Sequence, residues 1–450
     1  MIVPRTLLLI CVGGLIAISA VGVTVPAVAG VLHYAAIGLV AVAALDAMLG
    51  RGSLKGLGVS LPEVVRLSKD RDGEVDIYIR NDRARARPLR IGLAFPREIG
   101  SQLDSIQTVA PPDTAMAHVS WAVKPERRGN YHLDRVYMEG TSPLGFWAVR
   151  SSSPIQSELR VYPNLLTERR RLAALFLNRG AFGAHAQRQV GQGREFEKLR
   201  EYVPGDGYED IHWKATAKRG KPITKLFQIE RTQEVYVVID TSRLSARRVL
   251  ASTGGDNGET VEVTQLERFI TAALILGLVA ERQGDLFGLV TYGDSVRSFV
   301  RASTGQAHYS NCRDALYTLE PQTVNPDFDE LFTFLRMRLR RRALLVFLTN
   351  LEDAVLSESF VRNVEIIRKQ HLVLVGMLSP PGIRPLFSDD STKSVDDVYR
   401  SLAGHIRWRD LRELERVLHR QGVSFFLMDN ERMCADLVGQ YASVKQRQLL

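Results

Sequence analysis

Between residues 206 and 214 the chain places two aspartates, an imidazole and an amine: Asp206, Asp210, His212 and Lys214. Acids, a general base and a cation in so short a span are the groups a hydrolase or nuclease uses. Hydrolysis also needs a positioned nucleophile, a metal, or a carboxylate pair held in a cleft, and adjacency in sequence supplies none of these. The competing reading is a segment packed between two domains by mixed salt bridges. The surroundings favour that reading. Charges of both signs alternate with aromatics from Glu195 to Lys218 around a Pro204-Gly205-Asp206-Gly207 turn, with Tyr202 and Trp213 as packing anchors.

The elements that hold this segment can be read from composition outward. At 450 residues the chain has room for two or three domains, each with its own core. Its net charge of +9 suits acidic partners such as anionic lipid, nucleic acid or an acidic protein face. No nucleic-acid-binding signature accompanies that charge, so nucleic acid is not an expected partner. The three cysteines, Cys11, Cys312 and Cys434, are odd in number and far apart, which fits a reducing compartment better than a disulfide framework.

No Asp, Glu, Lys or Arg occurs between Arg5 and Asp46. As one helix that stretch would be ~60 Å long, about twice the hydrocarbon thickness of a bilayer. It reads as two spans, Leu7 to Val23 and Val31 to Leu49, broken at Thr24-Val25-Pro26-Ala27. Arg5 before the first span and Arg51 and Lys55 after the second put both ends in the cytoplasm by the positive-inside rule. Ala27-Val28-Ala29 resembles a signal-peptide cleavage site, but a second apolar segment directly behind it argues for an inner-membrane anchor.

Residues 58–163 read as short strands, with Glu74 to Ile79 alternating polar and apolar, and Pro111-Pro112, Arg128-Gly129-Asn130 and Ser142-Pro143 as turns. A small antiparallel β-sandwich is the expected architecture. A basic helical stretch from Glu168 to Leu177 and a glycine-bearing loop then lead into the central motif, so residues 164–234 form a third region.

The order Gly-Arg-Glu-Phe, Leu-Arg-Glu-Tyr, Pro-Gly-Asp and Ile-x-Trp-Lys-Ala across residues 193–215, followed by a strand ending in Asp-x-Ser, resembles the bacterial family called domain of unknown function 58. Arg127-Arg128-Gly129-Asn130-Tyr131 and Ser142-Pro143-Leu144-Gly145-Phe146 match that family's lead-in. Arg200, Tyr202, Pro204, Gly205, Asp206, Trp213 and Lys214 are thus the motif positions with a structural or interaction role. The chain departs at Glu209, Asp210 and His212, where many members carry basic residues before the Ile and Asp before the Trp.

From residue 235 to 450 apolar strands alternate with amphipathic helices. Val235 to Ile239, Leu286 to Val290, Ala343 to Leu348, Leu372 to Met377 and Val423 to Met428 read as strands, and this predicts a doubly wound, mostly parallel α/β sheet. With Asp240-Thr241-Ser242 closing the first strand, the order resembles a von Willebrand factor type A domain. That resemblance implies a Mg²⁺ site built from Asp-x-Ser-x-Ser, a threonine from a second loop and an aspartate after the central strand. Asp240 and Ser242 occupy the first two positions. Leu244 stands in the third, Asn350 replaces the aspartate, and Thr304 and Thr323 are the candidate threonines. A degraded site of this kind predicts weak Mg²⁺ at most, with Asp240 capping loop amides instead. No Gly-x-x-x-x-Gly-Lys loop and no His-Glu-x-x-His spacing occurs.

Members of the resembled family accompany AAA+ ATPases of the MoxR type. The expectation is therefore a membrane-anchored, non-enzymatic adaptor acting in ATPase-assisted assembly or maturation of other proteins. A hydrolase using Asp206, Asp210, His212 and Lys214, and a lipid- or nucleic-acid-binding protein, are the alternatives.

Overall fold

The computed structural model describes the chain except residues 23–25, 83–85, 113–115, 180–189, 192–194, 204–206, 229–232, 253–259, 387, 389–393 and 448–450. It divides into two compact units, residues 1–164 and 165–450.

In the first unit, helices Thr6–Gly22 and Pro26–Gly50 carry the apolar stretch. Residues 30–50 form a helix long and apolar enough to cross a membrane, whereas the apolar helix over residues 6–20 is shorter. The expected break at residues 24–27 falls partly outside the described residues. Two sheets follow. In one, Leu57–Ser60, Gly73–Asn81, Ala117–Pro125 and Ile99–Ser101 pair in that order. The other is built on Trp147–Tyr162 and Gly129–Thr141. Both contribute to one core: Val75, Ile77, Ile79 and Trp121 from the first sheet, and Leu89, Ile91, Val136 and Leu159 from the second. Period-two alternation selects these residues, since successive side chains point to opposite faces.

One strand departs from the all-antiparallel expectation. Val64–Ser68 pairs in parallel with Trp147–Tyr162. The chain changes sheets between Ser60 and Val64, and it arrives running alongside its new neighbour. The first residues also do not belong to the apolar helices, since Ile2–Pro4 adds an edge strand to the sheet.

Asp46, the first acid after the apolar stretch, is completely buried. Its carboxylate accepts hydrogen bonds from the Ser142 hydroxyl at 2.6 Å, the Leu144 amide at 2.9 Å and the Phe146 amide at 3.2 Å. The Trp147 indole donates to the Ala43 carbonyl at 2.8 Å. The Ser-Pro-Leu-Gly-Phe turn is therefore the socket for the end of helix Pro26–Gly50, and Gly145 takes a positive φ of 83° to shape it. Asp46→Ala would strand three donors around a hole. A loss of roughly 3–5 kcal/mol is expected, read by thermal unfolding in detergent, while Asp46→Asn, which keeps an acceptor, should lose less. Equal melting of all three proteins would contradict this socket.

In the second unit a six-stranded sheet carries the core. Its strands are β1 (Glu234–Asp240), β2 (Leu286–Tyr292), β3 (Val296–Ser303), β4 (Ala343–Leu348), β5 (Leu372–Leu378) and β6 (Ser424–Met428), in spatial order 3-2-1-4-5-6. All neighbours are parallel except β3, which runs antiparallel to β2. The helices are α1 (Gln265–Arg282), α2 (Gln306–Leu316), α3 (Phe328–Arg338), α4 (Ala354–Ile367), α5 (Val395–Arg420) and α6 (Met433–Gln446).

Alternate residues of β1 feed opposite cores. Val235, Val237 and Ile239 pack with Phe269 of α1, Leu316 of α2 and Leu437 of α6. Tyr236 and Val238 pack with Phe332 of α3, Phe360 of α4 and Leu411 of α5. Each of these fully buried apolar side chains contributes about 1.5–3 kcal/mol.

The basic stretch forms helix Leu166–Arg179 and packs on this unit through Leu172. Glu168 there pairs with the largely buried Arg268 of α1 at 3.1 Å. Helix α5 starts at Val395, where Ser394 and Asp397 form a capping box.

Candidate functional site

The crevice where the strand order reverses, between the carboxyl ends of β1 and β4, is where open α/β sheets place their ligands. Asp240 ends β1 there, completely buried. One carboxylate oxygen accepts the Ser242 amide at 2.8 Å, and the other accepts the Thr349 hydroxyl at 2.7 Å. Burial raises the pKa of Asp240, and the hydrogen bonds from Ser242 and Thr349 offset part of that rise. The neighbouring Tyr292 phenol is pushed well up by its own burial and by the Asp240 charge.

The other positions are spoken for. The Ser242 hydroxyl accepts the Leu244 amide at 3.4 Å and caps a short 3-10 turn. Asn350 donates to Glu352 at 2.8 Å and accepts the Glu352 amide at 2.9 Å. Glu352 in turn is paired with the Arg247 guanidinium. Of the two candidate threonines, Thr304 follows β3 at the opposite edge, where Ser303 lies beside Phe287 near the start of β2. Thr323 sits in the loop that approaches the crevice, between the Gln322 amide bonded to the Thr241 carbonyl and the Val324 carbonyl bonded to the Arg243 amide.

Tested against Mg²⁺, this set does not fit. Both Asp240 oxygens hold protein donors, Leu244 has no ligating atom, Asn350 is engaged by Glu352, and a guanidinium stands nearby. An oxygen-seeking cation would find in this set one carboxylate, already hydrogen-bonded at both oxygens, and one hydroxyl, short of the oxygen ligands it needs.

Two residues that sequence reasoning overlooked complete the network. Thr349 directly follows β4, and Ser245 stands one place beyond the expected serine and donates to the Ser242 carbonyl at 2.8 Å. A hydroxyl immediately after the central strand was the available signal. Beside the network lies an open groove of about 1000 Å³, bounded by Arg243, Arg247, Glu352, Glu358, Arg407 and Glu413.

The central motif forms a second cluster. Strand Glu195–Glu201 pairs antiparallel with Ile223–Gln228, placing Arg200 opposite Thr224. Tyr202 is half-buried and stacks on Tyr208 with ring centres 6.2 Å apart. Pro204, Gly205 and Asp206 lie outside the described residues, as does the side chain of Asp210. His212 caps helix Trp213–Arg219: its ring Nδ1 accepts the Ala215 amide at 3.1 Å. Lys214 is exposed. Among the described residues no hydrogen bond or ion pair joins His212 to Lys214.

The anchoring expected of Trp213 is overturned, because this side chain is 68% exposed. The reason is local. Helix Trp213–Arg219 has no buried residue, since Lys-Ala-Thr-Ala-Lys-Arg offers no apolar stripe. The segment is held instead by Ile211, buried and bridged to Thr224, and by the Thr216 hydroxyl accepting the Ile223 amide at 3.0 Å. With backbone fixed beneath it, Trp213 projects outward beside Lys214, and Tyr208 is likewise exposed.

Residues 198–381 match the model of the family described as Protein of unknown function DUF58. That stretch is similar to the family. It holds the outward-facing Trp213 and the Asp240 crevice together. No curated protein matches the chain in sequence. Among solved structures, one match spans 46% of this chain and 95% of the SpRpn10 VWA domain, at 9% identity and a TM-score of 0.27. Another spans 48% of this chain and 99% of an aerotolerance-related membrane protein from Bacteroides fragilis NCTC 9343 with multiple mutations to serines, at 13% identity and a TM-score of 0.30.

Proposed function

We propose that the chain is a membrane-anchored, non-enzymatic interaction module whose DUF58-like region docks a partner protein through Trp213 and its basic neighbours. The partner implied by the family resemblance is a MoxR-type AAA+ ATPase, acting in assembly or maturation of other proteins. Exposed Trp213 carries this reading: a tryptophan held outward on a fixed backbone is the residue type most enriched at the energetic centre of interfaces. Lys214, Lys218 and Arg219 on the same short helix give that surface a positive rim suited to an acidic partner face. Hydrolysis is the poorer reading, because His212 spends one ring nitrogen on a helix cap and Lys214 faces solvent. The lipid- or nucleic-acid reading rests on net charge alone and predicts binding that falls steeply with salt.

The membrane arrangement we infer is a hairpin of two spans, Thr6–Gly22 and Pro26–Gly50, with the β unit a sandwich on the cytoplasmic side. Arg5, Arg51 and Lys55 flank the hairpin and set that orientation. A reporter fused after Leu450 should behave as cytoplasmic, and periplasmic activity of the fusion would reverse the topology. The functional test is crosslinked capture from native membranes with the wild-type chain and with Trp213→Ala. Capture of an ATPase by the wild type alone supports the adaptor. Equal capture by both excludes this docking surface.

A further inference from the structure

The apolar stripe on the outward face of α5 has no role in either site, although Arg407 beside it also bounds the groove. Val395, Val398, Tyr399, Leu402 and Ile406 are all exposed, from 43% to 70%. Their spacing of three and four residues aligns them in one narrow stripe along about 17 Å of helix. The inward face of the same helix is Gly404, Leu411 and Leu418, at heptad spacing and buried. At Gly404 an added Cβ would lie 2.1 Å from the Gly382 carbonyl, so the helix is pressed inward there and turns its apolar stripe away. Five apolar side chains at i, i+3, i+4, i+7 and i+11 form a helix-packing seam rather than scattered surface residues.

We propose that this stripe packs antiparallel against the same stripe of a second copy of the chain, about a two-fold axis at Leu402. The argument is self-complementarity, which an interface with two-fold symmetry requires. With Leu402 against its own counterpart, Val398 meets Ile406 of the other copy. Along one flank of the seam, Asp396 meets Arg407 of the other copy, and the reciprocal pair forms on the opposite side of the axis. Asp396 and Arg407 both flank the stripe on the same edge of the helix, as antiparallel pairing demands. Neither has an ion-pair partner among the described residues, whereas Asp397 and Arg400 are already paired with each other at 3.4 Å. Acidic Asp396 and Asp397 at the head of the stripe disfavour an anionic lipid surface as the occupant. A seam this short buries less than the roughly 800 Å² per partner of a freestanding interface. The pairing therefore draws on the high effective concentration of chains held in one membrane.

The test uses the full-length chain in native membranes, in a Cys11→Ser background that removes the cysteine of the apolar helices. Leu402→Cys should form a disulfide-linked dimer under mild oxidation. Val355→Cys, on α4 and more exposed than Leu402, should stay monomeric. Asp396→Arg or Arg407→Asp should each cut the crosslinked fraction roughly tenfold, and the double exchange should restore it, since like charges are juxtaposed in the singles and opposite charges in the double. Trp213→Ala should leave the crosslink unchanged, which separates this seam from the partner site. Absence of a Leu402→Cys dimer, equal dimer at Val355→Cys, or no rescue by the double exchange would each overturn the proposal, and the last outcome would point to lipid or another protein on the stripe.

Discussion

Trp213→Ala is expected to retain the wild-type melting temperature and to lose partner capture by at least about 30-fold, or roughly 2 kcal/mol. The stability half follows from exposure. The ring buries little, its helix contributes no core residue, and the segment is held by Ile211, Ile223 and the His212 and Thr216 hydrogen bonds. Exposed substitutions of this kind stay within about 0.5 kcal/mol. The binding half follows from how interfaces distribute energy, with a few aromatic anchors carrying most of it. Lys214→Glu should weaken capture and make the remainder less salt-sensitive, without changing melting. Melting that drops by many degrees, with new protease sensitivity, would mean that Trp213 is covered in the working protein and that the surface reading is wrong.

The second large effect lies at Asp240, where two substitutions should move stability in opposite directions. Asp240→Ala leaves the Thr349 hydroxyl and the Ser242 amide unpaired in a dry crevice, at about 1–3 kcal/mol each, so a net loss of roughly 2–4 kcal/mol is expected. Asp240→Asn keeps an acceptor for Ser242 and can donate to Thr349, while removing a buried charge. Burial raises the folded pKa above the unfolded value. The stability linked to protonation is then fully present below the unfolded carboxylate value and is lost as pH rises through the folded one. At neutral pH the Asn variant should therefore melt at or above the wild type, and this advantage should fade as pH falls into the carboxylate range. Calorimetry should find no tight Mg²⁺ or Mn²⁺, and partner capture should survive EDTA. Micromolar metal affinity that vanishes in Asp240→Ala, with capture lost in EDTA, would show a live metal site.

Local patterns in the sequence determined a good part of this molecule. A charge-free stretch from residue 6 to 45 can only be buried in protein or lipid, and it forms helices. Continuous β-branched and apolar runs such as Val235 to Ile239 are legible because a strand covered on both faces has no polar side to interrupt it. Asp240 and Ser242 could be placed at a strand end for the same reason. Helix α5 was less legible, because the apolar stripe of its Val395 to Ile406 half faces away from the core instead of into it. What the tertiary structure alone decided are the pairings between distant residues and the exposure of single side chains. Asp46 meets a turn about a hundred residues away, Asp240 meets Thr349 across 109 residues, and Glu352 holds Arg247 across 105. Trp213 is outward because its neighbours supply no apolar surface to cover it. Burial and hydrogen-bond partners are properties of what the rest of the chain brings alongside a residue, and local sequence spacing does not contain them.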